Sequence, residues 1–169
     1  LAYSFDSGVN NSTVNTAFIN FQTTFTPLKG LDINLNYAPN FSTGFTSNNQ
    51  SKINYFNIDT KALLFSNPNK PTLSHSNSNT LTNYLKAQVN YANSFKGLDF
   101  NILLGAEQTD SRNQTFLASR ELTLFPDLLQ LNAYPALNQN VSGDANAWAL
   151  RSLFSRINIV ASDKYLLEL

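Results

Sequence analysis

Apolar and polar side chains alternate with a period of two along several stretches of this chain. Over residues 17–26, Ala17, Ile19, Phe21 and Phe25 fall on one side, with Thr23 among them. Asn20, Gln22, Thr24 and Thr26 fall on the other, and Phe18 is the exception. This is the signature of a strand with one greasy face and one wet face. After Pro27-Leu28-Lys29-Gly30 the pattern restarts, with Leu31, Ile33, Leu35 and Tyr37 against Asp32, Asn34 and Asn36. Pro and Gly bracket a tight connection, so the pair reads as a hairpin.

The second unit repeats the first. Lys-Gly-Leu-Asp occurs at Lys29 and again at Lys96, 67 residues on (96 − 29). Before the second copy, Leu81, Leu85, Ala87, Val89 and Tyr91 share a face, with Asn83 its one polar break. Tyr84, Lys86, Gln88 and Asn90 share the other. After it, Phe100, Ile102, Leu104 and Ala106 alternate with Asn101, Leu103, Gly105 and Glu107. A fifth strand carries Leu153, Ser155, Ile157 and Ile159 on one side and Phe154, Arg156 and Asn158 on the other. Strands are therefore expected near residues 16–26, 31–40, 80–93, 99–109, 147–160 and 165–169.

The expected connections are asymmetric. Three turns of a few residues lie on one side, while residues 39–79 and 108–146, about 40 each and rich in Asn, Ser and Thr, lie on the other. Short turns opposite long loops are the layout of an outer-membrane barrel with its short side periplasmic. Strands of this length can span a membrane when tilted. Phe25, Tyr91, Phe95, Phe100 and Tyr165 gather near the short turns, as an interfacial aromatic belt would. The expected fold is all-β: an antiparallel up-and-down transmembrane β-barrel segment of five to six strands. A soluble β-sandwich also alternates, so a secreted or surface adhesion or binding domain is the alternative.

Composition narrows the field. Formal net charge is +0, which argues against nucleic-acid binding. Charged residues make up 13%, against roughly 25% in soluble domains, and amides and hydroxyls fill the gap. Cys is absent, which excludes disulfides and thiolate chemistry. No apolar run approaches the ~20 residues of a transmembrane helix, so any span must be made of strands. Met is absent, the chain starts at Leu1, and it stops inside a strand. The expectation is a section of a longer protein.

Catalysis finds little support. His75 is the single His, in a polar run expected to be loop. No phosphate-binding glycine loop and no cluster with metal-ligand spacing is present. No catalytic residue, metal or cofactor is expected. The chemistry on offer is recognition and passage. Asn20, Gln22, Asn34, Asn36, Tyr84, Lys86, Gln88, Asn90, Asn101, Arg156 and Asn158 are candidates to face a barrel lumen. Phe45, Tyr55, Phe56, Phe65, Phe116, Phe125 and Tyr134 are the aromatics of the expected loops. The apolar stretch over residues 121–137 is a candidate strap at the extracellular mouth.

"WALRSLFSRINIVASDKYLLEL", residues 148–169, resembles the barrel of SusC/RagA-type TonB-linked outer-membrane transporters of Bacteroidetes. Trp148, Ala149, Leu150, Ser152, Phe154, Arg156, Asn158, Asp163, Lys164, Tyr165, Leu166 and Leu167 match that pattern. Ser155 and Ile159 depart from the Gly and Tyr often found there. Upstream, residues 103–116 resemble the strand that leads into the family's long extracellular loop. The resemblance implies a Gram-negative outer-membrane location, a 22-stranded barrel and an N-terminal plug that couples to TonB. It also implies a SusD-like surface lipoprotein as partner, contact with outer-membrane lipid, and import of oligosaccharides or peptides. No plug-like segment is recognisable in these residues, and six strands cannot close a barrel, which needs roughly eight.

Overall fold

A computed structural model describes residues 7–121, 128–162 and 164–169. Asp163 and residues 122–127 of the candidate strap, Phe125 among them, lie outside the described residues. The strands are β1 (Gly8–Phe18), β2 (Phe21–Leu28), β3 (Leu31–Gln50), β4 (Asn54–Phe56), β5 (Leu63–Ser66), β6 (Thr72–Phe95), β7 (Leu98–Glu121), β8 (Gln139–Ala161) and β9 (Tyr165–Glu168). Two short 3-10 pieces, Leu131–Ala133 and Ala136–Asn138, lie between β7 and β8. Among the described residues no helix is long and apolar enough to cross a membrane.

The main sheet is antiparallel and runs β1-β3-β6-β7-β8-β9, with β2 also paired to β3. β1 and β2 thus follow one another along the same edge of β3. Phe21 sits opposite Tyr37 and Phe25 opposite Ile33. The strand course breaks at residues 19–20, where the Ile19 amide donates to the Pro39 carbonyl at 3.1 Å. Consecutive long strands pair with their sequence neighbours, an up-and-down order consistent with a fragment of a β-barrel. β4 and β5 form a separate two-stranded sheet.

The repeated Lys-Gly has a backbone cause. Gly30 and Gly97 adopt φ of 82° and 81°, and Lys96 has φ of 50°. β6 and β7 are therefore joined by two residues of positive φ, the hairpin turn whose twist matches the strands. Glycine meets that demand without a Cβ penalty.

The strands are longer than the alternation indicates: 20 residues in β3, 24 in β6, 24 in β7 and 23 in β8. Much of what the sequence reads as loop is extended and paired. The connection from β3 to β6 shrinks to residues 51–71 and holds the β4–β5 hairpin. His75 is accordingly a strand residue, packed edge-on against Phe45 with ring centroids 5.5 Å apart. Cross-strand polar contacts take the place of an apolar stripe here. Ser12 meets Thr46 at 3.0 Å, and Ser78 donates to Asn113 at 3.3 Å.

The chain forms two compact units. One holds residues 7–15, 42–79, 113–121 and 128–145. It contains a small core in which Leu73 is fully buried and Tyr134 nearly so. Arg120 pins the segment that follows β7. Its Nη1 donates to the carbonyls of Leu131 and Tyr134, both at 3.1 Å, and its Nη2 to Gln139 Oε1 at 3.2 Å. Tyr55 and Phe65 stack on each other in the small hairpin at 4.5 Å.

The other unit holds residues 16–41, 80–112, 146–162 and 164–169. Burial in it is inverted relative to a soluble sheet. Leu35, Tyr37, Leu85, Val89, Leu104 and Leu153 are exposed, while the intervening Asn34, Asn36, Tyr84, Lys86, Gln88 and Asn90 are half-buried. Ala38 is its sole buried hydrophobic residue among those described. A sandwich would bury the greasy face against a second sheet. Here that face has no such partner among the described residues.

Candidate functional site

The residues expected to face a lumen sit on the polar face of the second unit, with differing degrees of organisation. Gln22 of β2 lies opposite Asn36 of β3, and Thr24 opposite Asn34. The Thr24 hydroxyl donates to Asn34 Oδ1 and the Thr26 hydroxyl to Asp32 Oδ1, both at 2.6 Å. Asn20 lies in the break between β1 and β2 and is exposed. The strand alternation that places these amides together is also what keeps Phe21, Phe25 and Leu35 on the opposite side.

At the centre of the sheet, β6, β7 and β8 build a denser cluster. The Tyr84 hydroxyl donates to Glu107 Oε2 at 3.0 Å. Lys86 Nζ sits 5.3 Å from the centroid of the Phe154 ring, a cation–π arrangement. That ring covers Gly105, where any Cβ would overlap it. Sequence alone marks Tyr84, Lys86 and Phe154, but not Glu107 as a partner or Gly105 as the floor. A glycine within a strand pattern is the available signal, since it marks close approach.

Nearer the turns, Asn101 and Asn158 join Lys29, Asn93 and Asp99 around an open recess of about 680 Å³. The Oδ1 atoms of Asn36 and Asn158 are buried and accept no hydrogen bond from the described residues. Both remain acceptors for a polar ligand or a packed segment. Arg156 is exposed on β8. Of the residues carrying the family pattern, Trp148 is exposed, Ser152 and Phe154 are half-buried, and Tyr165 opens β9 opposite Ala161. Asp163 lies outside the described residues.

Two features escape the sequence reading. In the first unit a groove of about 570 Å³ is lined by hydroxyls such as Ser12, Thr46, Ser76 and Ser142 together with apolar Val14, Phe116 and Leu117. Period-two patterning is silent where both faces are polar, so the groove has no sequence signal beyond its serine content. The second lies on the apolar face of the other unit. The Tyr37 hydroxyl donates to Asn83 Oδ1 at 3.0 Å, and Asn83 Nδ2 donates to Asp110 Oδ2 at 3.1 Å. Gln108 Nε2 donates to Asp110 Oδ1 at 3.2 Å, and Arg151 Nε donates to Gln108 Oε1 at 2.9 Å. This chain of side chains crosses four strands. Asn83, the one polar break in the apolar face of β6, was its visible trace.

The arrangement offers a hydrogen-bonding surface of amides, hydroxyls and a few charged groups. Among the described residues no group of His, Cys, Asp or Glu could hold a metal ion.

No family model and no curated protein matches this sequence. The fold does have relatives. A chain in the structure of the RagAB peptide transporter superposes with a TM-score of 0.79 at 16% identity, over 96% of this chain and 17% of that chain. The RagAB peptide importer gives 0.78 at 17% identity in its 'open-open' state and 0.76 at 16% in its 'closed-closed' state, with the same coverage. This chain has the fold of part of those chains. It spans about a sixth of the length of those chains.

Proposed function

We propose that this chain is a section of the wall of a SusC/RagA-type outer-membrane transporter that draws on TonB and imports peptides or oligosaccharides. The observation that carries this reading is the inverted burial of the second unit. Its large apolar side chains are exposed on one face and its amides are sheltered on the other. In water an uncovered face of this kind is a liability. In hydrocarbon it is what a barrel strand presents. The fold likeness to a peptide transporter and the pattern over residues 148–169 support the same assignment.

In this reading Tyr84, Lys86, Gln88, Asn90, Asn101 and Asn158 face the barrel interior, where they hold the plug and water or solvate a passing amide or hydroxyl. The strands of 20–24 residues exceed the roughly 9–11 that a tilted span requires. The remainder of each strand lies outside hydrocarbon, which accounts for its polar character on both faces. A SusD-like lipoprotein is the expected partner on the outer surface.

The test uses the full-length protein in its own cells. The expected result is recovery with outer membranes, heat-modifiable migration on a gel, and loss of uptake of a peptide or oligosaccharide on deletion of the gene or of TonB. A protein that is soluble and migrates identically with and without heating would refute the assignment.

A further inference from the structure

The β4–β5 hairpin carries six large apolar side chains, Tyr55, Phe56, Ile58, Leu63, Leu64 and Phe65, and all six are exposed. They occupy both of its faces. Tyr55 lies opposite Phe65 and stacks on it, while Phe56 lies opposite Leu63 on the other side. Leu64 is the extra residue of a bulge between those pairs, and Ile58 near the tip is 80% exposed. Hydrogen bonds fix the cluster from tip to foot. Asn57 Oδ1 accepts from the amides of Asp59 and Thr60, both at 2.9 Å, and the Asn57 amide donates to the Ala62 carbonyl at 2.8 Å. At the foot the Asn67 amide donates to the Ile53 carbonyl at 2.9 Å. A hairpin organised in this way loses little freedom on binding.

Its place in the chain argues against hydrocarbon as the cover. The oily alternation of β6 ends at Leu81, and Thr72, where the strand begins, lies nine residues beyond (81 − 72), about 30 Å along the strand. A small solute does not fit either. Solute sites are concave, whereas a hairpin apolar on both faces is a wedge that enters a cleft. The size suits a protein. At these exposures the six side chains leave about 750 Å² open, near the ~800 Å² that each partner covers in a standard interface. Charge narrows the choice. Lys52 and Lys61 are exposed and form no ion pair among the described residues, and Asp59 is the single acidic residue of the connection. Lys70 is already bonded to Glu121 at 3.4 Å. Lys52 and Lys61 against Asp59 leave +1 (2 − 1), which favours carboxylates on the partner over a second copy of the same hairpin.

We infer that this hairpin is the docking element for the SusD-like surface lipoprotein, inserted into an apolar cleft of that protein whose rim carries carboxylates. The inference rests on the barrel reading above and on the partner named there. In that reading the connection between β3 and β6, residues 51–71, lies on the side of the long loops, opposite the short turns. That is the side an outer-surface partner reaches. Phe56 and Ile58 are the anchors, since a few covered side chains carry most of the energy of a contact. Tyr55 and Phe65 stiffen the wedge by stacking on each other.

The experiment is photocrosslinking of the full-length transporter in its own cells, with a benzophenone-bearing residue in place of Phe56. The crosslinked peptide should come from the SusD-like lipoprotein. A crosslink to a second copy of the transporter, to another loop of its own chain, or to lipid would each overturn the docking element. Phe56→Ser and Ile58→Asp should each weaken binding of that lipoprotein to the detergent-solubilised transporter about tenfold. Lys61→Glu should weaken it too, and more at low salt than at high salt. All three variants should keep heat-modifiable migration, which separates a lost contact from a lost barrel. Binding unchanged by Phe56→Ser and Ile58→Asp would overturn the inference. An intact barrel that holds no such lipoprotein would overturn both the docking and the partner. Loss of heat-modifiable migration in the unaltered protein would instead overturn the barrel reading beneath them.

Discussion

The ring of Phe154 on β8 lies over Gly105 on β7, close enough that a Cβ at position 105 would occupy the same space. Lys86 on β6 then rests 5.3 Å from the centroid of that ring. Three neighbouring strands are linked through one glycine. Covering a strand glycine with an aromatic from the next strand restores the packing that the glycine itself cannot supply.

Gly105→Val should displace the ring and cost about 1 kcal/mol through the lost cation–π contact and ring packing. In a Phe154→Ala background the same change should cost less, because no ring remains to displace. Unfolding of the four proteins, read by loss of the heat-modifiable band, measures the coupling. Equal costs in the two backgrounds would contradict the arrangement.

The two turn glycines should respond differently. Both have positive φ, so alanine at either pays roughly 1 kcal/mol of backbone strain. Gly97 opens onto free space, whereas a Cβ at Gly30 would run into the Ala92 carbonyl. Gly30 also accepts from the Ala92 amide at 2.8 Å, so the turn cannot simply back away. Gly30→Ala should therefore lower assembly yield in the outer membrane more than Gly97→Ala. Equal yields would contradict the predicted difference.

These contrasts bear on how much the sequence discloses. The period of two was plain wherever one face was oily, as with Leu85, Ala87 and Val89 against Lys86, Gln88 and Asn90. Those stretches placed the strands, the turns and most of the polar face. The strands continue through residues 41–50 and 72–79, where Ser74, Ser76 and Ser78 alternate with His75 and Asn77. With hydrogen-bonding side chains on both sides, strand and polar loop have the same composition. The partnership of Tyr84 with Glu107 and the chain from Tyr37 to Arg151 were equally hidden. Both depend on register between strands, and register follows from turn geometry rather than from any single stretch of sequence.

Arg120 anchors residues 131–139, so loss of its guanidinium should release them selectively. Arg120→Ala removes three hydrogen bonds to residues 131–139. Limited proteolysis should then cut near residues 128–138, with the rest of the barrel still intact. Leu73→Ala, which hollows the same unit's core, should cost about 2–5 kcal/mol and raise amide exchange there. Protease resistance unchanged by Arg120→Ala would mean that other contacts hold the segment.

Which side of the second unit meets hydrocarbon is open to direct measurement. The sequence contains no Cys, so single cysteines can be introduced one at a time over residues 100–107 of β7 and spin-labelled in the full-length protein in bilayers. Collision with oxygen, which concentrates in lipid, should be high at Ile102, Leu104 and Ala106 and low at Asn101, Leu103 and Gly105. A water-soluble nickel relaxant should show the opposite order. Oxygen access that is uniform along the strand, or highest at Asn101 and Leu103, would contradict a lipid-facing apolar side and the transporter wall built on it.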